Sequence, residues 1–578
     1  MLKIRDGREI SLLPALTGCV AFLLGVSQLS FAEPTDVEPP AQFDRPNILL
    51  IVADDLGYSD IEPFGGEIDT PNLTSLAADG MRLINFHTAP TCSPTRSMIM
   101  SGLYSHQAGL GAMAEWVADN QRGQPGYEGY LNDRASTLPQ QLKEAGYYTF
   151  MAGKWHLGMS EEHWPDKRGF EDSVAMLPGA GGHFSQQGIN SRLPIVPYVQ
   201  NGEPFQLPRE FYSTEFYTSR AIEYLDKSKL QGGKPFFGYV AYTAPHWPLQ
   251  VDSSYSEKYR GRYEAGYDAL KQERLKRMIK LGIVPADVMP YPGSECEQPW
   301  SALTEEERAY QSRLMEIYAG MVDSLDENIG RLIDHLKAMG EYERTVILFM
   351  SDNGADARPI VGLGGESNFI ANNFDNSLEN IGSSDSFVSY GSAWAEVGSF
   401  PFRLHKGMTT EGGIRVPAIL KVPESNDSRG QMLPAFTSVL DILPTFLDAA
   451  RSDNVRTLNL PDTSMPVLVG NSLLPSLGGE TVAGEGLYPY GFSVHRRQGL
   501  QYGSWKIIRL EPTVGTGEWE LYDLEKDPSE TSNLATSHPD VLAEMIVRWR
   551  SFADQTGIVI SDEGARAPKE CVLKAAVN

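Results

Sequence analysis

The sequence predicts an α/β fold with a large, mostly parallel sheet, followed by a smaller C-terminal α+β domain carrying an antiparallel sheet. Three observations carry this reading. Asn47–Ala53 (NILLIVA), Pro235–Ala241 (PFFGYVA) and Thr345–Met350 (TVILFM) are short, nearly unbroken apolar runs. Runs of that kind fit strands buried on both faces, as in a parallel sheet. Helical patterns separate them, and strand–helix alternation implies parallel connections. Each run also ends in polar residues: Asp54-Asp55, Tyr242-Thr243-Ala244-Pro245-His246 and Ser351-Asp352-Asn353. Open α/β sheets place their sites beyond the carboxyl ends of the strands.

In chain order, residues 1–32 read as an export signal. Lys3, Arg5 and Arg8 make a basic start, Ser11–Phe31 is apolar, and Ser30-Phe31-Ala32 offers small residues for cleavage before Glu33. A retained anchor fits less well, because Pro14, Thr17 and Gly18 interrupt the stretch and a polar, proline-rich linker follows. Leu16-Thr17-Gly18-Cys19 also matches a lipoprotein cleavage box, but the apolar run continues past Cys19. No later apolar run is long enough to span a bilayer.

Pro94 and the apolar residues after Arg96 suit a helix starting near Cys92. Thr137–Glu144 reads as a short helix closed by Gly146, and Tyr147–Ala152 as a strand. Residues 303–339 read as one or two helices beginning at Thr304 and its glutamates. Residues 360–400 are rich in Gly, Ser and Asn and read as long loops, and Phe436–Ala449 reads as a helix. Beyond 460, Trp505–Ile508 and Trp519–Leu524 read as strands, with a closing helix near Val541–Phe552. The expected organisation is a signal peptide at 1–32, a catalytic domain at 33–460 and a C-terminal domain at 461–578.

Composition narrows the function. The 578 residues suffice for a large core. Lys plus Arg is 49 and Asp plus Glu is 75, a net charge of −26, which argues against a broad nucleic-acid surface. An anionic substrate must therefore be drawn in by a local cationic pocket. The four cysteines are Cys19, Cys92, Cys296 and Cys571. Removal of the signal leaves three, an odd number in an exported protein, so one thiol has another use. Cys296 and Cys571 are available to pair, which would leave Cys92 as the odd one.

The chemistry-bearing residues cluster in a few short segments. Thr91-Cys92-Ser93-Pro94-Thr95-Arg96 sets an exposed-looking cysteine at a helix N-terminus, where free N–H groups favour negative charge, with Arg96 one turn on. Asp54, Asp55, Asp352 and Asn353 form a hard, oxygen-only set at two strand ends, suited to Ca²⁺ or Mg²⁺ and not to zinc or copper. Taken singly, Asp-Asp and Asp-Asn-Gly are ordinary turns. In Gly153-Lys154-Trp155-His156, an extended backbone would turn Lys154 and His156 to one side and Trp155 into the core. His246 sits between two prolines in Ala244-Pro245-His246-Trp247-Pro248, a stiff setting for an acid or base. Lys406 precedes Glu411-Gly412-Gly413-Ile414-Arg415-Val416-Pro417.

The ordered series D-D, C-S-P-T-R, G-K-W-H, A-P-H-W, S-D-N-G and K-G…E-G-G-I-R-V-P resembles the type I sulfatases over most of the chain, and Leu521-Tyr522-Asp523-Leu524 with its sequel resembles their C-terminal domain. Gly126–Leu131 and the Asn376–Lys406 stretch look most like bacterial arylsulfatases. The resemblance implies an alkaline-phosphatase-like sheet sandwiched by helices, and formylglycine made from Cys92 by dedicated machinery. It implies calcium, with magnesium open, held by Asp54, Asp55, Asp352, Asn353 and the modified Cys92. By the same resemblance Arg96 and Lys154 hold the gem-diol, His246 and Lys406 grip the sulfate and assist the leaving oxygen, and His156 is the base that collapses the sulfated intermediate. His405 receives no role. The implied activity is hydrolysis of small sulfate esters, most of all aryl sulfates, by an exported, periplasmic or secreted enzyme. A phosphodiesterase or phosphonate monoester hydrolase of the same superfamily, and a non-catalytic calcium-dependent binder of sulfated glycans, remain as alternatives.

Overall fold

The strand β1 (Asn47–Ala53) is buried along its whole length. Its side chains divide by twos: Leu49, Ile51 and Ala53 enter one apolar core, and Ile48, Leu50 and Val52 enter another. That is the period of a strand, and cover on both faces explains the unbroken apolar run. The computed structural model describes residues 45–294, 298–358, 366–423, 428–450, 468–477, 488–512 and 514–564. The stretch read as an export signal, most of the expected linker, Cys19, Cys296, Cys571 and the expected boundary near 460 lie outside the described residues.

Nine further strands join β1: β2 (Met81–Leu83), β3 (Tyr148–Lys154), β4 (Asp172–Met176), β5 (Tyr198–Gln200), β6 (Glu203–Phe205), β7 (Phe236–Ala241), β8 (Thr345–Ser351), β9 (Ala418–Lys421) and β10 (Met432–Leu433). The spatial order is β10-β2-β9-β8-β1-β7-β3-β4-β5-β6. The five central strands, from β8 to β4, are parallel. Antiparallel pairs flank them on both sides, so the sheet is parallel at its centre and mixed towards its edges.

Helices cover both faces. Glu305–Met339 is one unbroken helix of 35 residues, started by a Thr304–Glu307 capping box and ended by Gly340 in the left-handed region at φ 75°. With Ser213–Ser228 it packs on the face that carries Leu49, Ile51 and Phe349. Cys92–Ser101, Leu138–Glu144 and Ile442–Ala449 pack on the opposite face. A second sheet of antiparallel strands, β11 (Tyr490–Val494), β12 (Arg497–Tyr502), β13 (Trp505–Arg509) and β14 (Trp519–Asp523), adds Tyr490, Leu500, Ile507 and Leu521 to that core. The closing helix Pro539–Thr556 contributes Met545, Trp549 and Phe552.

Three expectations differ from the structure. The glycine- and serine-rich stretch contains helices at Glu366–Asn373 and Gly391–Gly398. Trp394 drives the second, being fully buried in the aromatic group of Tyr263, Tyr267 and Trp300. The segment from Phe436 is not helical at its start: Thr437–Ser438 pairs with Phe86–His87, and a Ser438–Asp441 capping box starts the turn that leads into Ile442–Ala449. Strand β3 runs on to Lys154, which places that lysine at the sheet's carboxyl edge.

Candidate active site

The strand register aligns the site. Ala53 lies level with Ser351, Val52 with Ala241, and Ala241 with Gly153. Asp54, Asp352, Tyr242 and Lys154 therefore leave or end their strands at one edge. Backbone bonds carry the alignment past the strand ends: Asp352 N–H donates to the Ala53 carbonyl at 3.1 Å, and Asp54 N–H to the Ala244 carbonyl at 3.1 Å. Asp55 then turns the chain at φ 66°, a conformation aspartate tolerates better than most residues.

Three carboxylates and a thiol converge there. One ligand atom from each of Asp54, Asp55, Cys92 and Asp352 lies within 4.8 Å of the others, and all four residues are buried. Asn353 donates its amide to Asp55 Oδ1 at 2.6 Å. Its own Oδ1 is buried and has no hydrogen-bond partner among the described residues. A buried, unsatisfied carbonyl beside three carboxylates is the donor set of a hard divalent cation, so these residues fit one. Burial and the neighbouring Asp54 raise Asp352 against the pull of Arg96. Burial raises Asp55 well above the usual range, against Lys406 and reinforced by Asp356, Asp54 and Asp352. Burial is the larger cause of both shifts, and the like charges that add to it are ones a cation would balance.

Cations of the protein close the rest of the cluster. Arg96, fully buried, grips Asp352 through Nε at 2.9 Å and a terminal nitrogen at 2.7 Å, and lies 3.7 Å from Asp54. Lys154 Nζ sits 2.7 and 2.9 Å from the two Asp54 oxygens. Lys406 Nζ bridges Asp55 at 2.8 Å and Asp356 at 3.1 Å. Burial opposes ionisation of Asp54, but Lys154 and Arg96 outweigh it and hold the carboxylate ionised.

Cys92 is the first residue of its helix, as the sequence suggests, but it is only 1% exposed. Its Sγ lies 3.4 Å from Asp54 Oδ1 and 3.8 Å from Asp55 Oδ1. Burial and the Asp352 charge push its pKa well up, so the helix terminus is overruled and the group stays a thiol. An unmodified Cys92 is therefore not set up as a thiolate nucleophile.

The two histidines are held by different means. His246 donates Nδ1–H to the Trp247 carbonyl at 2.5 Å, which leaves Nε2, 3.4 Å from Asp55, as the nitrogen free to take or give a proton. Burial lowers its pKa to about 3 against the pull of Asp54. The extended geometry expected at 154–156 stops at Lys154. His156 has φ 58°, and its Nε2 faces Glu115 Oε1 at 2.9 Å. Trp155 is buried as expected, its indole donating to the His163 carbonyl at 2.9 Å. With Nε2–H given to Glu115, His156 Nδ1 carries the lone pair, and it is buried without a partner among the described residues. The His405 ring meets the Lys406 carbonyl through Nδ1, at 3.2 Å.

Two residues at this site have no signal in the sequence. Asp356 accepts from Lys406, from the Trp247 indole at 2.7 Å and from the Arg358 backbone N–H at 2.8 Å. Glu115 comes from a short 3₁₀ turn far from any motif; its side chain is half exposed, and its bond with His156 holds its pKa low. Asp356 lies four residues after Asp352, and only the fold of that loop returns it to Lys406.

A family model described as Sulfatase matches residues 46–452, and one described as N-sulphoglucosamine sulphohydrolase, C-terminal, matches 402–548. An uncharacterized sulfatase of Schizosaccharomyces pombe is 42% identical over 561 residues, covering 93% of this chain and 98% of its own. An arylsulfatase of Klebsiella aerogenes is 38% identical over 427 residues, covering 72% of this chain and 89% of its own. Among solved structures, Ps i-CgsB in complex with k-i-k-neocarrahexaose superposes with a TM-score of 0.62 at 24% identity, covering 88% of this chain and 93% of that one, a likeness of fold. With most of its length matched by the family model and by these relatives, the chain belongs to the sulfatase family.

Proposed function

We propose that this sulfatase hydrolyses aryl sulfate esters, using formylglycine made from Cys92 and a divalent cation, with calcium favoured over magnesium. The observation that carries the reading is the convergence of Asp54, Asp55, Asp352 and the unsatisfied Asn353 Oδ1 on Cys92. The identity to the Klebsiella arylsulfatase supports the aryl class.

Asp54, Asp55, Asp352 and Asn353 would hold the cation; it would offset charge on the sulfate group, while hydrated formylglycine at position 92 would supply the attacking oxygen. Four buried carboxylates, counting Asp356, face Arg96, Lys154 and Lys406, a balance of one negative charge that a divalent ion turns positive. A site of that sign receives an anionic ester inside a strongly acidic protein. Lys406 and His246 bind the sulfate group from one side. The ester's charge offsets the burial that depresses His246, so Nε2 can carry the proton handed to the leaving phenol oxygen. Arg96 and Lys154 hold the nucleophile's surroundings rigid through Asp352 and Asp54. His156 Nδ1 takes the proton released when the nucleophile is restored, with Glu115 stabilising the charged ring.

Residues 1–32 direct export in this reading, and the mature enzyme works in the periplasm or outside the cell. Because Cys92 is 1% exposed, the modifying machinery must reach it before the chain folds. The test is sulfate release from 4-nitrophenyl sulfate beside the matching phosphate diester, together with the mass of the Cys92 peptide. Fast sulfate release with an aldehyde at 92 is expected. Preference for the diester would move the function to phosphoryl transfer.

A further inference from the structure

The cations inside the site all have carboxylate partners; one cation at its rim has none. Among the described residues, no acidic group lies within ion-pair distance of the Arg358 guanidinium, and the residue is exposed. It rests instead against two indoles, 5.8 Å from the Trp116 ring centre and 5.9 Å from that of Trp247. Both distances lie inside the roughly 6 Å over which a cation is drawn to an aromatic face.

Each neighbour ties Arg358 to the reacting groups. Trp247 follows His246, their ring centres 4.7 Å apart, and its indole N–H is fixed by Asp356. The same carboxylate takes the Arg358 backbone N–H and the Lys406 ammonium. Trp116 follows Glu115, the partner of His156. Its ring lies 4.9 Å from His495, in the hairpin between β11 and β12 of the C-terminal sheet. Burial, then Arg497 and Arg358, lower His495 to about 4, so at neutral pH it is an uncharged wall. Two flat aromatic faces and one uncompensated guanidinium thus stand together beside the proton-transfer histidine and next to the partner of the other.

We propose that Trp116, Trp247 and Arg358 form the subsite for the departing alcohol, and that Arg358 selects esters whose ring bears a second anionic oxygen group. Trp116 offers the ring an indole face, Trp247, buried, backs the guanidinium, and the guanidinium offers two parallel N–H donors to a carboxylate or sulfonate on the ring. The proposal rests on the sulfatase reading above and deepens it.

The test compares phenyl sulfate with 3-sulfooxybenzoate, whose phenols are of similar acidity, on the calcium-loaded enzyme and on Arg358→Gln and Arg358→Lys. The ratio of kcat/KM, carboxylated over plain ester, is expected to fall about tenfold in Arg358→Gln, less in Arg358→Lys, and to shrink with added salt in the wild type. An equal ratio in wild type and Arg358→Gln overturns the proposal. If neither ester is turned over, the aryl sulfate reading has failed, and calorimetric binding of the same two esters decides the subsite. A carboxylate preference lost in Arg358→Gln supports it, and equal ratios overturn it.

Discussion

Asp356→Asn is a change of charge at nearly constant shape, aimed at the carboxylate that the motifs do not mark. Asp356 accepts three hydrogen bonds, from Lys406 Nζ, Trp247 Nε1 and the Arg358 N–H, and is 6% exposed. An asparagine has one acceptor oxygen. Turned towards Arg358, it sets its NH₂ against the ammonium and the indole N–H, so two bonds are lost, one of them charge-assisted. Turned the other way, it keeps those two as weaker bonds, to an amide oxygen in place of a carboxylate, and leaves the Arg358 N–H facing a donor. A bond to a charged group contributes about 1.5–3 kcal/mol and an orphaned buried donor costs about 1–3 kcal/mol. Lys406 retains Asp55, which offsets part of this. The expected loss is about 2–3 kcal/mol, larger in Asp356→Ala, which keeps no acceptor. Catalytically, Lys406 would be left with Asp55 as its one carboxylate, in competition with the cation, and kcat/KM for 4-nitrophenyl sulfate should fall about 10- to 100-fold. Urea denaturation with and without calcium, beside sulfate release, measures both. An Asp356→Asn protein with wild-type midpoint and wild-type turnover would refute the claim that Asp356 positions Lys406.

Other predictions concern the nucleophile, the cation and two histidines. Cys92→Ala should abolish sulfate release while moving the urea midpoint little; full turnover would rule out position 92 as the nucleophile. Calcium should raise the melting temperature, with about 2.7 kcal/mol of added stability at a hundredfold excess over Kd, and a chelator should reverse it. No response to calcium or magnesium would contradict the donor set. Glu115→Gln removes a charge that raises the His156 pKa, so the acid limb of the kcat profile should move to lower pH; an unmoved limb would detach His156 from that limb. His183, 1% exposed, donates to the His246 carbonyl at 2.9 Å, and burial lowers it from 6.5 to about 4. The unfolded chain therefore takes up the proton first, so this contribution is whole above pH 6.5 and disappears as pH falls towards 4. Against His183→Gln, the wild type should lose up to about 3 kcal/mol over that window; parallel stability curves would contradict it.

The local parts of this enzyme are written in short segments of its sequence. Asn47–Ala53 is apolar at every position but its first because both faces of β1 are covered, and no partner need be known to see that. Thr304 with Glu307, and Gly340 after the last turn, mark the ends of a 35-residue helix by bonds made within a few residues. Asp54, Asp55, Asp352, Asn353, Cys92, Arg96, Lys154, His246 and Lys406 each stand in a motif; the register of parallel strands brings the strand-end residues among them to one edge, and a helix and a loop bring Cys92, Arg96 and Lys406 to meet them. What only the tertiary structure decided is which charge meets which. Asp356 becomes the anchor of Lys406, Glu115 the partner of His156, and Arg358 the neighbour of Trp116 and Trp247, through contacts between residues 41 or more positions apart in the chain. Periodicity and capping report the forces a residue feels from its near neighbours. The burial that keeps Cys92 a thiol and depresses His246 is summed over the whole fold, and exists only once the fold has closed around them.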